Sequence, residues 1–259
     1  QVWEGDRYKI EQRISLSRNS RLIEFDTSID WRQSAHMLRV AFPVNVRAAQ
    51  AHYEIQFGHL ARPTHMNTSW DMARFEVVAH KWADISQPNY GVAIINDCKY
   101  GHQIHGNVIS LNLLRSPKSP DPEADMHTHE FRYALLPHPG DHIAAHVPQQ
   151  AYEFNVPARV IKTTPHRGSK AASYSLLNID AHNVFIDTVK KSEDGRDIII
   201  RCYEAYAMDC TTRMEFDFSA QEVIEVDILE DNGRSLPLRD NQVKLTFSPF
   251  EIKTLRVRR

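Results

Sequence analysis

Short segments in which apolar and polar residues alternate recur along the whole chain. In residues 51–58, Tyr53, Ile55 and Phe57 share one face, and residues 130–137 show the same pattern. A period of two residues is typical of strands with one buried face. Helical periodicity is scarce, and Gly, Pro and Asn-Gly turn signals separate the segments, which favours a β-sandwich. We therefore predict an all-β protein with almost no helix.

A change in composition near the middle of the chain predicts two domains. Residues 163–173 are polar and contain Pro165 and Gly168, as a linker would. We place the first domain at residues 1–168 and the second, smaller domain at residues 169–259. The 14 histidines all precede residue 183, so the titratable chemistry is expected in the first domain.

The central stretch of the first domain is predicted to be a β-hairpin followed by a stiff loop. Residues 92–95 and 108–114 are apolar runs, separated by polar turn residues 96–101. Arg115 stands at the end of the second run. The loop after it contains Pro117, Pro120 and Pro122, each of which fixes φ.

Two interpretations of Arg115 stay open on the residues alone. An arginine at a strand end beside an acidic loop suits a polyhydroxyl ligand, because its fork can donate two parallel hydrogen bonds. Asp121 and Asp125 are close enough in sequence to orient it. The alternative is a surface ion pair that stiffens the loop and contributes little stability.

Overall composition excludes several classes of function. The chain has 259 residues, 42% hydrophobic, 25% charged, with a formal charge of −2, which is ordinary for a soluble globular protein. It contains no basic run that would bind nucleic acid and no apolar stretch of the ~20 residues that span a membrane. Three cysteines form no even disulfide framework and favour a reducing compartment. The N-terminus has neither Met nor a signal-peptide pattern, as a cut or processed product would.

Candidate catalytic and metal-ligating motifs are weak. The P-loop, GxGxxG, GxSxG and HExxH patterns do not occur. His127 and His129 near Asp125 could form part of a zinc site, but no third ligand follows at a set spacing. We therefore predict no catalytic and no metal-binding residue within the chain, and interpret His142 and His146 as solvated loop histidines. Trp70 is either a sugar-stacking platform or a core aromatic, and the core interpretation is favoured.

Several long motifs of the chain resemble the C-terminal half of glycoside hydrolase family 38 α-mannosidases, the cytosolic or vacuolar type above all. The similarity covers nearly the whole sequence, and the motifs are NTSWDMARFEVVAHKWAD (67–84), YGVAIINDCKYG (90–101), HGNV (105–108), LLRSP (113–117), PDPEAD (120–125), HEFRYALLPH (129–138) and SPFEIKTL (248–255).

The resemblance implies a fold and an activity. The expected fold is a large β-supersandwich, similar to galactose-mutarotase-like domains, followed by a smaller β-sandwich. The implied activity is that of a retaining α-mannosidase acting on terminal α-mannosyl residues of glycans. In the family, an aspartate nucleophile and a zinc ion with His and Asp ligands lie on an N-terminal β/α domain, which this sequence lacks. We therefore expect the chain alone to be inactive.

The resemblance also implies a set of substrate-binding residues. A family arginine reaches the active site from a C-terminal β-domain loop, and Arg115 in LLRSP matches it; Asp97, Lys99, Tyr100 and Asp125 are the further candidates. The expected partners are a mannose-containing oligosaccharide and the N-terminal catalytic domain, with homo-oligomerisation left open. The expected location is the cytoplasm, with the vacuole as the alternative. Two other functions remain: a stand-alone carbohydrate-binding module and a structural domain without a ligand.

Overall fold

The computed structural model describes residues 1–169 and 171–259. These residues form two compact units, Gln1–Arg159 and Val160–Arg259. The boundary expected after residue 168 stays a prediction. In the first unit the elements are, in chain order, β1 (Val2–Gly5), β2 (Tyr8–Leu16), β3 (Ile23–Trp31), β4 (Leu38–Pro43), β5 (Gln50–Ile55), β6 (Gly58–Pro63), α1 (Ser69–Ala73), β7 (Val77–Val78), β8 (Trp82–Gln87), β9 (Tyr90–Asn96), β10 (Gly101–His105), β11 (Val108–Leu114), β12 (Thr128–His138) and α2 (Val147–Asn155).

The first unit is a sandwich of two antiparallel sheets. An eight-stranded sheet has the order β1-β2-β3-β12-β9-β8-β5-β6, and a four-stranded sheet has the order β4-β11-β10-β7. Alternation along each strand sends apolar side chains from both sheets into a shared core. Phe25 and Tyr133 of the large sheet stack there with ring centroids 4.8 Å apart, and Ile109 and Leu111 of the small sheet are fully buried.

The second face of the large sheet is covered by α2. Val147, Ala151 and Phe154, spaced to lie on one side of a helix, pack with Trp82 and Leu136 of the sheet. This helix was not predicted, although the spacing and a proline in the first turn are typical helix signals.

The second unit is a smaller sandwich. Its strands are β13 (Leu177–Ile179), β14 (Val184–Lys191), β15 (Ile198–Glu204), β16 (Cys210–Phe216), β17 (Glu222–Val226), β18 (Arg234–Leu236), β19 (Leu238–Arg239), β20 (Gln242–Phe247) and β21 (Ile252–Arg258). They form a four-stranded sheet, β13-β16-β20-β19, and a five-stranded sheet, β14-β15-β21-β17-β18. Cys202 and Leu255 of one sheet share a core with Met214 and Phe247 of the other. The predicted all-β class, with a larger sandwich before a smaller one, is confirmed.

The predicted central hairpin is wrong. Residues 92–95 lie in β9, which pairs with β8 and β12 in the large sheet, whereas residues 108–114 form β11, which pairs with β10 and β4 in the small sheet. The physical reason is that Gly101–His105 is itself a strand. It turns back into β11 through Gly106 and Asn107, where Gly106 adopts φ +57°. Residues 97–100 therefore cross from one sheet to the other.

Candidate functional site

Arg115 follows directly on β11, and its side chain is exposed. Its guanidinium makes no ion pair and no hydrogen bond with any residue that the structure describes. The backbone beneath it is held instead, because Oδ2 of Asp125 accepts the N–H of Arg115 at 3.0 Å and the N–H of Ser116 at 3.1 Å. The expectation that Asp121 and Asp125 orient the guanidinium is therefore wrong: Asp125 fixes the main chain, and Asp121 accepts the N–H of Glu123.

Ser116 anchors this loop to the sandwich. It is fully buried and adopts φ +42°, a region that non-glycine residues occupy only where their surroundings enforce it. Nε1 of Trp31 donates to its hydroxyl at 2.5 Å, and the N–H of Ala35 donates to its carbonyl at 2.9 Å. Arg115 thus has a fixed backbone and a side chain available to a ligand.

Asp125 is held ionised by its surroundings. Partial burial acts to raise the pKa of this carboxyl, but the N–H donors of Ser116 and Arg115 and the charges of His129 and Lys99 outweigh burial and lower the pKa. Lys99 is therefore close enough to influence the charge of Asp125. His127 and His129 stack beside them with ring centroids 3.8 Å apart.

Asp97 and Lys99 lie on the crossover that connects β9 to β10, and both contact residues of β12. Oδ2 of Asp97 accepts the N–H of Arg132 at 3.0 Å and lies 3.8 Å from its Nε. Nζ of Lys99 lies 4.2 Å from the ring centroid of Phe131, within the range of a cation–π contact. Both side chains have structural partners here, so a role in binding sugar would be shared with a role in holding the crossover.

Tyr100 and Trp70 are exposed aromatic side chains. Tyr100 is 57% exposed, and its ring lies 5.4 Å from that of His80, with no described hydrogen bond or ring contact to the Arg115 loop. Trp70, on α1, is 75% exposed. The interpretation of Trp70 as a core aromatic is therefore wrong, because α1 is a surface helix without a buried residue. Sugar stacking by Trp70 stays a prediction.

A groove of about 770 Å³ opens beside Asp97. Its floor includes a cross-strand row in which Arg13 of β2, Asp26 of β3 and Arg132 of β12 are direct neighbours. Charged groups of both signs at fixed spacing suit a ligand with many hydroxyl groups. This row was not predicted, since the pairing of three strands cannot be deduced from the alternation within each of them.

A second cluster with ligand chemistry lies on the α2 side of the large sheet. The ring nitrogens of His52, His59 and His142 all lie within 4.8 Å of one another, and theirs is the metal-compatible group of three that the described residues contain. His142 is only 4% exposed, so its interpretation as a solvated loop histidine is wrong. His127 and His129, which the sequence offered only as a possible part of a zinc site, do not belong to this group.

Two family models match separate parts of this chain, and known proteins match nearly its full length. Residues 1–123 match the family described as glycosyl hydrolases family 38 C-terminal domain, and residues 183–255 match the glycosyl hydrolases family 38 C-terminal beta sandwich domain. Alpha-mannosidase 2C1 of Homo sapiens is 43% identical over 252 residues, covering 95% of this chain and 24% of that protein. Alpha-mannosidase of Saccharomyces cerevisiae is 36% identical over 282 residues, covering 98% of this chain and 26% of that protein.

A solved structure shows the same fold. The crystal structure of an alpha-mannosidase from Enterococcus faecalis V583 superposes with a TM-score of 0.82 at 21% identity, over 96% of this chain and 29% of the other.

The chain spans about a quarter of the length of the curated relatives it matches. No helix among residues 1–169 and 171–259 is long and apolar enough to cross a membrane.

Proposed function

Since the chain belongs to glycosyl hydrolase family 38, whose C-terminal region it forms, we propose that it is the C-terminal β-region of a retaining α-mannosidase. The complete protein would hydrolyse terminal α-mannosyl residues of glycans. In this proposal the β-region supports the fold of the enzyme and forms one wall of the sugar pocket. Its partners are the N-terminal catalytic domain and a mannose-containing oligosaccharide. The names of the matched relatives support the activity.

The zinc ion of the proposed enzyme belongs to the N-terminal domain. The Arg115 loop does not fit it, because its described residues form no group of three metal ligands; the group that the described chain contains comes from β5, β6 and the segment between β12 and α2. No catalytic step is therefore assigned to zinc within this chain. We propose the cytoplasm as the location, which is supported by three cysteines that all remain free thiols.

The observation that carries the proposal is the state of Arg115. A guanidinium without a partner among the described residues, on a main chain fixed by Asp125 and Ser116, is pre-organised to donate two parallel hydrogen bonds at little entropic cost. Sugar hydroxyls at the rim of a pocket accept such bonds. Each bond to a charged donor contributes about 1.5–3 kcal/mol, or roughly 10- to 150-fold in catalytic efficiency.

The test is steady-state kinetics and thermal melting of Arg115→Ala in the complete enzyme, measured together. We expect kcat/KM to fall by roughly 10- to 150-fold with little change in Tm, since the guanidinium supports no other residue of the described chain. Arg115→Lys should recover little, because an ammonium cannot make a planar two-point contact. Arg18→Ala, at another exposed arginine, is the matched control and should leave both quantities unchanged.

Two results would contradict the proposal. Unchanged efficiency with a lowered Tm would make Arg115 a structural residue. Equal losses in the Arg115 and Arg18 variants would show a general effect of surface charge on the enzyme and not a contact at one position.

A further inference from the structure

The histidine cluster is built by the pairing of β5 with β6. His52 faces Ala61 across the ladder and His59 faces Glu54, so the two histidines are diagonal neighbours on the same face of the sheet. His142 reaches them from the segment between β12 and α2. Its ring stacks on His52 with centroids 4.2 Å apart and meets His59 edge-on at 4.8 Å.

The spacing of the three rings is close to that of a coordination shell. Their ligand nitrogens lie within 4.8 Å of one another. Imidazole nitrogens at 2.0–2.1 Å from a tetrahedral zinc ion are separated by ~3.3 Å. Small rotations about the side-chain torsions would close the difference, and the strand backbones of β5 and β6 would stay in place.

His142 is a buried polar group that the described protein leaves unsatisfied. Its side chain is 4% exposed, and neither Nδ1 nor Nε2 has a hydrogen-bond partner among the described residues. Buried polar side chains normally have at least one partner, and each exception requires an explanation. Burial, with His52 and His59 beside it and His138 nearby, lowers the pKa of His142 to about 2, so its ring is neutral and keeps the lone pair that a metal requires.

Two carboxylates, those of Asp84 and Asp141, lie close enough to the cluster to act on His52. Burial lowers the pKa of His52, while the carboxylates of Asp84 and Asp141 act against that shift. Asp84 is fully buried directly opposite His52 in the ladder between β5 and β8, and its Oδ2 lies 2.7 Å from Nε2 of His138. Two nearby carboxylates would offset the charge of a bound cation.

We propose that His52, His59 and His142 bind one zinc ion, at a site separate from both Arg115 and the zinc of the N-terminal domain. Three imidazoles favour zinc and other late transition ions over Mg²⁺ and Ca²⁺, which take oxygen ligands. The ion joins the β5–β6 hairpin to the segment that leads into α2. It thereby stabilises the layer in which α2 packs on the large sheet. This site departs from the sequence-based prediction of no metal-binding residue in the chain.

The experiment uses the chain described here, which contains none of the ligands proposed for the N-terminal domain. Protein stripped with a chelator is titrated with Zn²⁺ at neutral pH by calorimetry, and its Tm is measured with and without the ion. We expect uptake of one equivalent and a higher Tm with zinc. His142→Ala and His59→Ala should each weaken binding by on the order of 100-fold or more, while His105→Ala, at an exposed histidine of β10, should bind as the parent does.

Several outcomes would overturn the proposal. These are failure of the stripped chain to take up one equivalent, unchanged affinity in His142→Ala, or equal loss in the His105→Ala control. If circular dichroism shows that His142→Ala is unfolded, His52→Gln takes its place, since glutamine keeps polarity and volume near those of histidine. If folded His52→Gln still bound one equivalent of zinc at the parental affinity, the ion would lie elsewhere and the proposed site would be contradicted. The occupant of the histidine cluster would then be water.

Discussion

His102 is a buried imidazole on β10 whose charge state is set by its surroundings. It is fully buried in the first sandwich, and its Nε2 lies 3.4 Å from Nδ2 of Asn96. Burial lowers the pKa of His102 to about 4; a backbone hydrogen bond with Tyr100 acts against this shift, and the charge of His80 adds to it. The ring is therefore neutral in the folded state at neutral pH.

This burial makes stability depend on pH. Because the folded pKa of His102 is about 4 against an ordinary 6.5, the unfolded chain binds the proton first as pH falls. The contribution of His102 is thus complete above the unfolded value and is lost between pH 6.5 and about 4. It amounts to at most about 3 kcal/mol.

Replacing the imidazole removes this dependence. In His102→Gln the free energy of unfolding should vary less steeply over that pH window, as measured by denaturant titrations at a series of pH values. His105→Gln, on the exposed end of the same strand, is the control and should keep the parental slope. Equal slopes for parent and His102→Gln would refute the assignment.

Single residues of the site were predictable only as far as local sequence determines them. Arg115 was placed correctly at a strand end, since the alternation of residues 108–114 fixes where that strand stops. The part played by Asp125 was not predictable, because it depends on positive φ values at Ser116 and Asp125 that fold the loop back on itself. The three-histidine cluster joins β5, β6 and a segment about 80 residues later, a proximity that no local pattern contains.

At the scale of elements, Glu204 holds together the end of β15 and the connection that follows β20. This fully buried carboxylate accepts the side chain of Asn183 at 3.0 Å and the N–H groups of Tyr206, Met208 and Phe250 at 2.7, 3.2 and 3.0 Å. Two donors bind each oxygen. Phe250 belongs to the SPFEIKTL motif, so the carboxylate gives that motif a structural role.

Glu204→Gln should destabilise the second unit. The new NH₂ group would face two N–H donors where an oxygen accepts them now, and buried unsatisfied groups of this kind cost about 1–3 kcal/mol each. A lower midpoint in chemical denaturation is expected. Glu215→Gln, at an exposed position of β16, should leave the midpoint in place, and a similar midpoint for both variants would contradict the role of Glu204.

Close contact between β9 and the end of β12 explains a glycine in the large sheet. A Cβ at Gly91 would overlap Cε1 of His138 and lie 2.6 Å from Cβ of Ser86. His138 cannot give way, because it is buried and bound to Asp84. Gly91→Ala should therefore cost about 1–3 kcal/mol of stability.

Thermal melting tests this prediction. Gly168→Ala is the control, since a Cβ there meets no atom within 4 Å, and it should leave Tm unchanged. If Gly91→Ala had the same Tm as the parent, β9 and β12 would accommodate the added methyl group more easily than their packing indicates, and the prediction would be contradicted.

The elements themselves were more predictable than their pairing. The hairpin of β14 and β15, joined at residues 192–197 with Gly195 at φ +73°, follows a local signal, because a short polar turn between two apolar runs leaves no room for another strand. The hairpin predicted between residues 92–95 and 108–114 was wrong, since Gly101–His105 lies between them and takes one of them as its partner. Pairing in a sandwich depends on contacts between segments distant in sequence.

At the scale of the whole molecule, the chain is a scaffold with two sandwich cores, and in our proposal its Arg115 loop forms one part of a larger site. The chain spans about a quarter of the relatives it matches, and the proposed role of Arg115 is to bind and orient sugar. Positioning by itself does not supply a nucleophile or an acid, and each of those groups accounts for orders of magnitude in rate.

The isolated chain should therefore not hydrolyse an aryl α-mannoside. The measurement is release of nitrophenol by the purified chain, with the complete enzyme as the positive control. Turnover that co-purifies with the chain through several columns would contradict this expectation. Tight binding of mannose without turnover would instead favour the alternative of a stand-alone carbohydrate-binding module.

The central claim is that Arg115 contacts the sugar in the assembled enzyme, and a crystal structure of the complete protein with a bound mannose-configured inhibitor tests it most directly. The measured quantity is the distance from the guanidinium nitrogens of Arg115 to the nearest sugar hydroxyl oxygens. We predict hydrogen-bond distances of about 2.7–3.2 Å to hydroxyl groups at the rim of the pocket. A guanidinium that points into solvent, with neither a direct contact nor a bridging water to the inhibitor, would contradict the account.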